Sequence, residues 1–411
     1  YALKVDIQLY EASTPERLEE ALSLASAYGL KLFVALPFPE KNKEQIAVEY
    51  QLEGKTYTKT LPFLDSVKVS SIYPKEDFYV YAKPYFDLIK KHSSTVEAIF
   101  LGDEPYLNGV GYKELEIVGE YTRELLDAYE LQHVKLGVVF ASAMFNADFA
   151  RHLNAAASNY VYSIDKHYAS LKEKERAGLI SDEELNWLKV ISRVRLTTYD
   201  QAGNMYVDGG VPDIVDIIGF DFYTSTLLLD GLHNTSLDWF SRRKLHPSCS
   251  DYNGADIKTL RQELFFWDAK NKQQAYTSEE QAERAASDKR ILDGWYVCRT
   301  ASVLELLNQE IARSGRADRE ILLVSESSTN GFLEFDLHGN TLPDQDFNLV
   351  HSRVVDEVAR AFQLSKEYSI DHLLFFTYET QSDYSINLVI NGAEDIPEAL
   401  ELIYQNARRS E

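Results

Sequence analysis

The stretch ValGluAlaIlePheLeuGlyAspGluProTyr, residues 96–106, has the pattern of a buried strand followed directly by two adjacent acidic residues. Its apolar run, Ala98–Leu101, is typical of a short strand buried in a parallel sheet. The run ends abruptly in Gly-Asp-Glu-Pro at 102–105, which brings two adjacent carboxylates to the end of a core strand. A second apolar run, Ile321–Val324, ends in the same manner, in Ser325-Glu326-Ser327. The sequence therefore predicts a glutamate at the carboxyl end of each of two core strands.

Short apolar strands alternate with amphipathic helices along the whole chain, a pattern that predicts an α/β fold with parallel strands and helical crossovers. The predicted strands are Leu3–Leu9, Leu32–Leu36, Ala98–Leu101, Val134–Phe140, Ile214–Phe222, Ile321–Val324, Leu373–Thr377 and an eighth within 159–200, either Tyr160–Ile164 or Val194–Tyr199. The predicted helices are Thr14–Tyr28, Phe78–Lys91, Tyr112–Tyr129, Ser181–Ile191, Ser278–Ser314, Val350–Ser369 and Pro397–Arg408. Eight such strands favour a single (β/α)8 TIM barrel over residues 1–411. An open dinucleotide-binding sheet is disfavoured because no glycine-rich loop follows the first strand.

Three long segments interrupt the alternation and are predicted to be βα-loop insertions. Residues 40–72 have the pattern of a β-hairpin, with Ile46–Leu52 and Thr56–Leu61 as its strands. Residues 165–210 and 225–278 are polar, aromatic and irregular. All three follow predicted strands, so we expect them on the face where barrel enzymes bind their substrates.

Composition excludes several classes of partner. Lys and Arg number 42 against 65 Asp and Glu, a net charge of −23, which argues against nucleic acid or an anionic membrane surface as a ligand. No apolar run reaches the roughly 18 residues of a membrane span. Cys249 and Cys298 are too few for a disulfide scaffold or a cysteine-based zinc site. Metal-binding histidine motifs are missing, so we expect neither metal nor cofactor; the oligomeric state stays open.

Paired carboxylates at strand ends suit the cleavage of glycosidic bonds. That reaction needs an acid to protonate the departing oxygen and a carboxylate to stabilise or attack the sugar's anomeric carbon. Glu104 and Glu326 are the candidates, because side chains from distant strands meet at one end of a barrel. The negative charge of Asp103 beside Glu104 would favour the protonated form that an acid catalyst must hold.

Four strand-end motifs resemble those of the clan A glycoside hydrolases, which are retaining (β/α)8 enzymes. These motifs are LeuGlyAspGluPro (101–105), IleIleGlyPheAspPheTyrThr (217–224), LeuLeuValSerGluSer (322–327) and LeuPhePheThrTyrGlu (374–379). The resemblance implies that Glu104 is the acid/base and Glu326 the nucleophile. It also implies that Tyr223 approaches the nucleophile and that Tyr378 lies on the substrate floor.

The chain departs from the clan pattern in three respects. Asp103 stands where the clan usually has Asn, so it can accept but not donate a hydrogen bond to the sugar 2-hydroxyl. Tyr378 stands where Trp is typical. The acid/base motif follows the third predicted strand instead of the fourth, which implies either a strand upstream of Tyr1 or a divergent barrel.

Further residues are predicted to bind the sugar. Asp221 precedes Tyr223 by two positions and so points to the same side of its strand. His167 and Tyr168 belong to a polar cluster in the second insertion, and Trp239 and Trp267 in the third insertion are candidates for stacking on sugar rings.

The prediction from sequence is thus a glycosidase acting on a poly- or oligosaccharide by double displacement. The alternatives are a carbohydrate-binding barrel without catalysis, and a transglycosylase, an inverting glycosidase or a sugar lyase using the same carboxylates. We expect an extracytoplasmic location, which suits polysaccharide degradation and a sequence that opens at Tyr1, where either a signal or pro-segment has been removed or the chain has been trimmed.

Overall fold

A computed structural model describes these parts of the chain: residues 7–11, 13–36, 44–45, 47–52, 55–60, 68–69, 74–105, 112–141, 151–153, 168–182, 184–185, 188, 206–208, 210–222, 286, 296–297, 300–329, 347–376, 378–383 and 388–407. The chain divides into two compact units. The first unit is residues 9–218, and the second unit combines residues 1–8 with 219–411.

The described strands and helices follow the predicted alternation. The strands are β1 (Ile7–Glu11), β2 (Lys31–Ala35), β3 (Glu44–Gln45), β4 (Ala47–Leu52), β5 (Lys55–Thr60), β6 (Lys68–Val69), β7 (Val96–Asp103), β8 (Lys135–Ala141), β9 (Arg151–Leu153), β10 (Tyr206–Asp208), β11 (Ile217–Asp221), β12 (Glu320–Glu326), β13 (His372–Phe376), β14 (Gln381–Asp383) and β15 (Leu388–Ile390). The helices with defined bounds are α1 (Pro15–Tyr28), α2 (Lys75–Lys91), α3 (Tyr112–Ala128), α4 (Phe347–Glu367) and α5 (Pro397–Ala407), and residues 300–314 are also helical. A short 3₁₀ turn covers Ala393–Asp395.

In the first unit, β2, β7 and β8 are hydrogen-bonded neighbours in chain order. Both pairings, β2 with β7 and β7 with β8, are parallel, and the connecting segments carry helices α2 and α3. The α/β class predicted from the alternating pattern is therefore confirmed. Closure of eight strands into a full barrel stays a prediction, because both positions suggested for the eighth strand lie outside the described residues.

The core of the first unit depends on close approach between neighbouring elements. Phe100 packs over Gly137 so tightly that a Cβ there would lie 2.6 Å from the Phe100 ring. On the helical side, a Cβ at Gly119 of α3 would lie 2.5 Å from the Ile214 side chain. Both glycines are therefore required for packing, and they seat α3 and β8 against β7.

A partly buried ion pair joins α3 to the start of β11. Arg123 Nη2 lies 2.6 Å from Asp216 Oδ2, and the same carboxylate oxygen accepts a 2.8 Å hydrogen bond from the Leu136 amide. The Asp216 amide in turn donates to the Leu136 carbonyl at 2.8 Å. This reciprocal bonding fixes where β11 begins beside β8.

In the second unit, β12 and β13 form a parallel pair, and the end of β11 lies beside β12. The Phe222 amide donates to the Val324 carbonyl at 3.1 Å, which extends the β11 pairing by one residue. At the start of β12, Ile321 and Asp371 exchange two hydrogen bonds, and the Glu320 carboxylate lies 2.8 Å from the His372 ring. The register of β12 against β13 is thus fixed before the strands reach their carboxyl ends.

Within the described residues, four antiparallel pairs of short strands accompany the parallel series. The pairing of β4 with β5 forms a hairpin in the place where the sequence predicted one. β3 precedes this hairpin in the sequence and β6 follows it, and these two strands also pair with each other. β9 pairs with β10, and β14 pairs with β15. Apart from the hairpin of β4 and β5, these pairs were not predicted, because strands of two or three residues are too short to give an alternating pattern.

Most of the predicted strands end one or two residues away from the predicted position, and in two of them the correction bears on function. β7 continues through Asp103 instead of ending at Leu101, and β12 continues through Glu326 instead of ending at Val324. Polar residues at the end of each strand still take part in parallel pairing, a feature that apolar periodicity does not detect. Within the described residues, no helix has the length and apolar character required to cross a membrane.

Candidate active site

The carboxyl end of β7 contains a β-bulge directly before Glu104. Phe100 pairs with Gly137 and Asp103 pairs with Val139, so three steps along β7 oppose two steps along β8. A single extra residue reverses the faces that the following side chains occupy, and bulges of this kind are frequent beside active sites because they redirect a side chain.

Glu104 itself has a left-handed backbone, with φ of 44°, and its amide donates to the Val139 carbonyl at 2.8 Å. The other described non-glycine residues with positive φ, Glu130 and Ser369, lie two residues after the ends of helices α3 and α4, where that conformation is common. Among the described non-glycine residues with positive φ, Glu104 is the one that follows a strand. A non-glycine residue there costs about 1–2 kcal/mol, and such strain is often found at functional sites.

Exposure changes sharply along this turn. Asp103 is exposed, Glu104 is half-buried and Pro105 is buried. Glu104 therefore contacts the protein and still reaches solvent, which suits a group that exchanges protons with a ligand and with water.

Glu326 is the last residue of β12 and has no exposed surface. It pairs with Phe376 of β13, and the next amide, that of Ser327, donates to the Phe376 carbonyl at 2.7 Å. All five residues from Ser325 to Thr329 are buried. An ordinary polar βα loop would be solvated, so a buried run of this polarity requires internal hydrogen bonds.

Ser328 supplies one of those hydrogen bonds. Its hydroxyl Oγ lies 2.5 Å from Glu326 Oε1 and donates to it, and both side chains are buried. Sequence reasoning did not single out Ser328. A hydroxyl two residues after a strand-end carboxylate is the local signal that could have found it.

A second connection fixes the segment after Glu326. The Thr329 amide donates to the Asn391 carbonyl at 2.9 Å, and the Asn391 amide donates to Thr329 Oγ1 at 2.8 Å. The next residue, Gly392, approaches the backbone after β13 so closely that a Cβ would lie 2.3 Å from the Tyr378 carbonyl oxygen. The β14–β15 segment therefore holds both strand ends in place.

Two further candidate residues lie in the second unit. Tyr378 follows β13 by two residues and is 49% exposed, so its ring is available to a ligand. Asp221 ends β11 and is only 7% exposed. Asp221, Glu326 and Tyr378 thus occur at the carboxyl ends of β11, β12 and β13, which are consecutive in the sheet.

A polar layer lies behind β12, and sequence reasoning missed it. The Tyr296 hydroxyl is 2.9 Å from Ser325 Oγ, and the Arg360 guanidinium lies 5.2 Å from the centre of the Tyr296 ring. Burial, together with the nearby Glu357 carboxylate, raises the pKa of Tyr296 well above its usual value, and burial lowers the pKa of Arg360 to about 10. Because neighbouring strand residues face opposite ways, Ser325 contacts this layer from the face opposite Glu326.

The remaining predicted site residues give less information. Tyr223, His167, Trp239 and Trp267 lie outside the described residues. Tyr168 belongs to the first unit, is half-buried at the start of a helical stretch, and has the Lys172 ammonium 5.9 Å from its ring centre. Glu104 also belongs to the first unit, whereas Glu326 belongs to the second.

Comparison with known proteins gives matches at the level of structure. No protein-family model and no curated protein sequence matches the chain. The chain is similar to the family 53 glycoside hydrolase catalytic domain of Ignisphaera aggregans, at 10% identity and a TM-score of 0.34, over 95% of this chain and 78% of that one.

Two further solved structures also align with most of this chain at low sequence identity. A family 1 β-glucosidase from Thermotoga maritima aligns at 11% identity and a TM-score of 0.39, over 98% of this chain and 84% of that one. The catalytic domain of a family 26 endo-β-1,4-mannanase from Bacillus sp. JAMB-750 aligns at 11% identity and a TM-score of 0.37, over 98% and 76%. All three of these families belong to clan A. Similarity at this level does not by itself assign a reaction to this chain.

Proposed function

We propose that this protein is a retaining glycoside hydrolase acting on a poly- or oligosaccharide. The observation that carries the proposal is the setting of the two glutamates. Each stands at the carboxyl end of a parallel strand, Glu104 in a strained backbone after a bulge and Glu326 buried beside a hydroxyl donor. The backbone strain at Glu104 and the burial of the Glu326 carboxylate both cost free energy. The strand-end motifs that contain these two residues resemble those of clan A enzymes.

The mechanism follows from the chemistry of two carboxyl groups. Glu326 attacks the anomeric carbon while Glu104 donates its proton to the departing glycosidic oxygen, so one C–O bond forms as another breaks. Glu104, now a carboxylate, then takes a proton from water, and the hydroxide displaces Glu326 to release the sugar. Tyr223 would orient Glu326, and Tyr378 would support the sugar ring.

Ligand-binding roles for the remaining candidates belong to the same proposal. Asp103 would accept a hydrogen bond from a sugar hydroxyl, and Asp221 would contact the substrate beside Tyr223. His167, Tyr168, Trp239 and Trp267 would form outer sugar sites. An extracytoplasmic location, where polysaccharides are available, would suit this activity.

The complete burial of Glu326 sets a condition on this proposal. A nucleophile with no exposed surface can react only if substrate binding opens a path to its carboxylate. The same burial favours a second candidate function, a carbohydrate-binding barrel in which Glu326 is structural. Exposed Tyr378 could contact a sugar in either case.

Kinetics separate the two functions. The wild type would be tested against p-nitrophenyl α- and β-glycosides and against polysaccharides, alongside Glu326→Gln and Glu104→Gln. We expect turnover by the wild type and a loss of at least a hundredfold in each variant, since each glutamate is needed in the first chemical step. Binding of a polysaccharide without turnover of any substrate would instead support the non-catalytic barrel.

A matched control is available on the same strand. Glu320 is the first residue of β12 and pairs with His372 at the opposite end from Glu326. Glu320→Gln removes a carboxylate from the same strand, at the end where barrel residues serve stability. It should therefore keep its turnover, and equal losses in Glu320→Gln and Glu326→Gln would contradict the proposed role of Glu326.

A further inference from the structure

We propose that Ser328 is a positioning residue for the Glu326 carboxylate, which it holds ionised and in a fixed orientation. The inference rests on the proposed function of Glu326 as nucleophile and adds a residue to that site. Its basis is a hydrogen bond from Ser328 Oγ to Glu326 Oε1 at 2.5 Å. Both side chains are fully buried.

Burial gives this hydrogen bond its importance. On the surface, water would take the place of a lost serine hydroxyl at little cost. In a dry environment no water is at hand, so the carboxylate would be left without this hydrogen-bond donor and its charged form would be destabilised. A hydroxyl that donates to a carboxylate stabilises the charged form relative to the neutral one. A nucleophile must be ionised to attack, so the contact favours the reactive state of Glu326.

The backbone around Ser328 is held on both sides, so its hydroxyl is fixed in advance of any ligand. On one side, the Ser327 amide donates to the Phe376 carbonyl. On the other side, Thr329 exchanges two hydrogen bonds with Asn391. Such anchoring is what a residue that orients a reacting group requires.

Other ionisable groups occur on the elements packed against β12, and they stay the same when Ser328 is changed. In the second unit they include Asp221 on β11, Tyr296 in its helical segment, His351, Arg353, Asp356, Glu357 and Arg360 on α4, His372 on β13, and Tyr378 and Glu379 after β13. A comparison between variants at position 328 therefore isolates the effect of one hydroxyl.

The chain offers a matched control in Ser325. This serine is also fully buried and also bonds another side chain, but its partner is the Tyr296 hydroxyl on the opposite side of the strand. Ser325→Ala should cost stability in the same way as Ser328→Ala without altering Glu326. A purely structural role for Ser328 would make the two variants behave alike.

The test is a titration of Glu326 in the full chain by ¹³C NMR of labelled glutamate carboxyls, with the Glu326 signal assigned by its loss in Glu326→Gln. In Ser328→Ala we expect the midpoint to move to higher pH by roughly one unit, a typical effect of losing a charge-assisted hydrogen bond. Ser328→Thr should restore the wild-type midpoint and Ser325→Ala should keep it. If Ser328→Ala does not fold, Ser328→Cys, a weaker donor, should give a smaller shift in the same direction.

Turnover of a p-nitrophenyl glycoside gives a second readout. In Ser328→Ala the acid limb of kcat/KM should move to higher pH, with a loss in kcat and little change in KM. The NMR midpoint needs no substrate, so it tests this inference separately from the proposed function. An unchanged midpoint in Ser328→Ala would overturn the inference even in an active enzyme, and a wild type without turnover would overturn only the proposed function.

Discussion

Thr329 and Asn391 exchange two hydrogen bonds across 62 residues of sequence, at 2.9 and 2.8 Å. One is backbone to backbone and the other ends on the Thr329 hydroxyl oxygen. The pair joins the segment after β12 to the residue after β15, three positions from the candidate nucleophile Glu326. It therefore links the stability of the second unit to the geometry of the candidate site.

We expect Thr329→Val to destabilise the protein and to reduce turnover. Valine matches the shape of threonine but leaves the Asn391 amide without its acceptor, at a cost of about 1–3 kcal/mol in the free energy of unfolding. Urea denaturation of both proteins measures this cost. The control is Thr300→Val, since the buried Thr300 hydroxyl has no hydrogen-bond partner within the described residues. That change should be neutral or stabilising, and an equal loss in both variants would argue against the Thr329–Asn391 pair.

Replacing Glu104 with glycine should separate stability from activity. Glycine adopts positive φ without steric cost, so Glu104→Gly should raise the free energy of unfolding by roughly 1 kcal/mol after allowance for its greater chain entropy. The same change removes the proposed acid/base and should abolish turnover. Chemical denaturation and a glycosidase assay on one preparation measure both effects.

Glu130→Gly provides the control, because Glu130 also has positive φ, 55°, but follows helix α3. Its exposed ion pair with Lys90 contributes little. We expect Glu130→Gly to gain similar stability and keep full activity. A stability loss in Glu104→Gly would mean that the Glu104 side chain stabilises the fold.

The buried Tyr296 should make the protein sensitive to alkali. Burial first, and the Glu357 carboxylate second, raise the pKa of Tyr296 well above its usual value of 10.0. Below pH 10 the tyrosine is neutral in both folded and unfolded chains. Above it, only the unfolded chain loses the proton readily, so the stability falls as the pH rises.

Tyr296→Phe tests this effect directly, because phenylalanine has no proton to lose while other buried groups, Arg360 included, are unchanged. Urea midpoints at pH 8 and at about pH 11 should show a larger alkaline loss for the wild type than for the variant. Parallel losses in the two proteins would show that Tyr296 is not responsible.

Tyr378 should bind the sugar without stabilising the fold. Because its ring is 49% exposed, Tyr378→Ala should leave the denaturation midpoint nearly unchanged. The loss of a stacking surface should raise KM by about fivefold, which corresponds to roughly 1 kcal/mol. Tyr28→Ala on helix α1, where the tyrosine is 75% exposed in the first unit, is the control and should keep the wild-type KM.

The sequence was sufficient to predict most of the long strands and helices of the α/β fold, because apolar runs and their periodicity are local properties. Apolar runs such as Ala98–Leu101 and Ile321–Val324 are strands in the structure. The bulge and the left-handed backbone at Glu104 were not predictable, since both depend on pairing with Val139 of another strand. For the same reason, no local pattern indicated the Thr329–Asn391 pair.

The buried charges of α4 show a signal that was present but overlooked. Positions 350, 354, 357, 361 and 364 form one helical stripe of buried residues, and four of them are Val, Val, Ala and Leu. The fifth is Glu357, which is fully buried. A lone carboxylate in an apolar stripe requires a polar partner on the facing element, and the layer around Tyr296 lies there.

The most direct test of the central claim is the distance between the Glu104 and Glu326 carboxyl carbons in a crystal structure. The proposed double displacement predicts about 5–5.5 Å, with both groups facing one cleft. A separation of about 6.5–9.5 Å would indicate an inverting enzyme instead. A distance beyond about 10 Å would contradict the claim that these two glutamates act on one glycosidic bond.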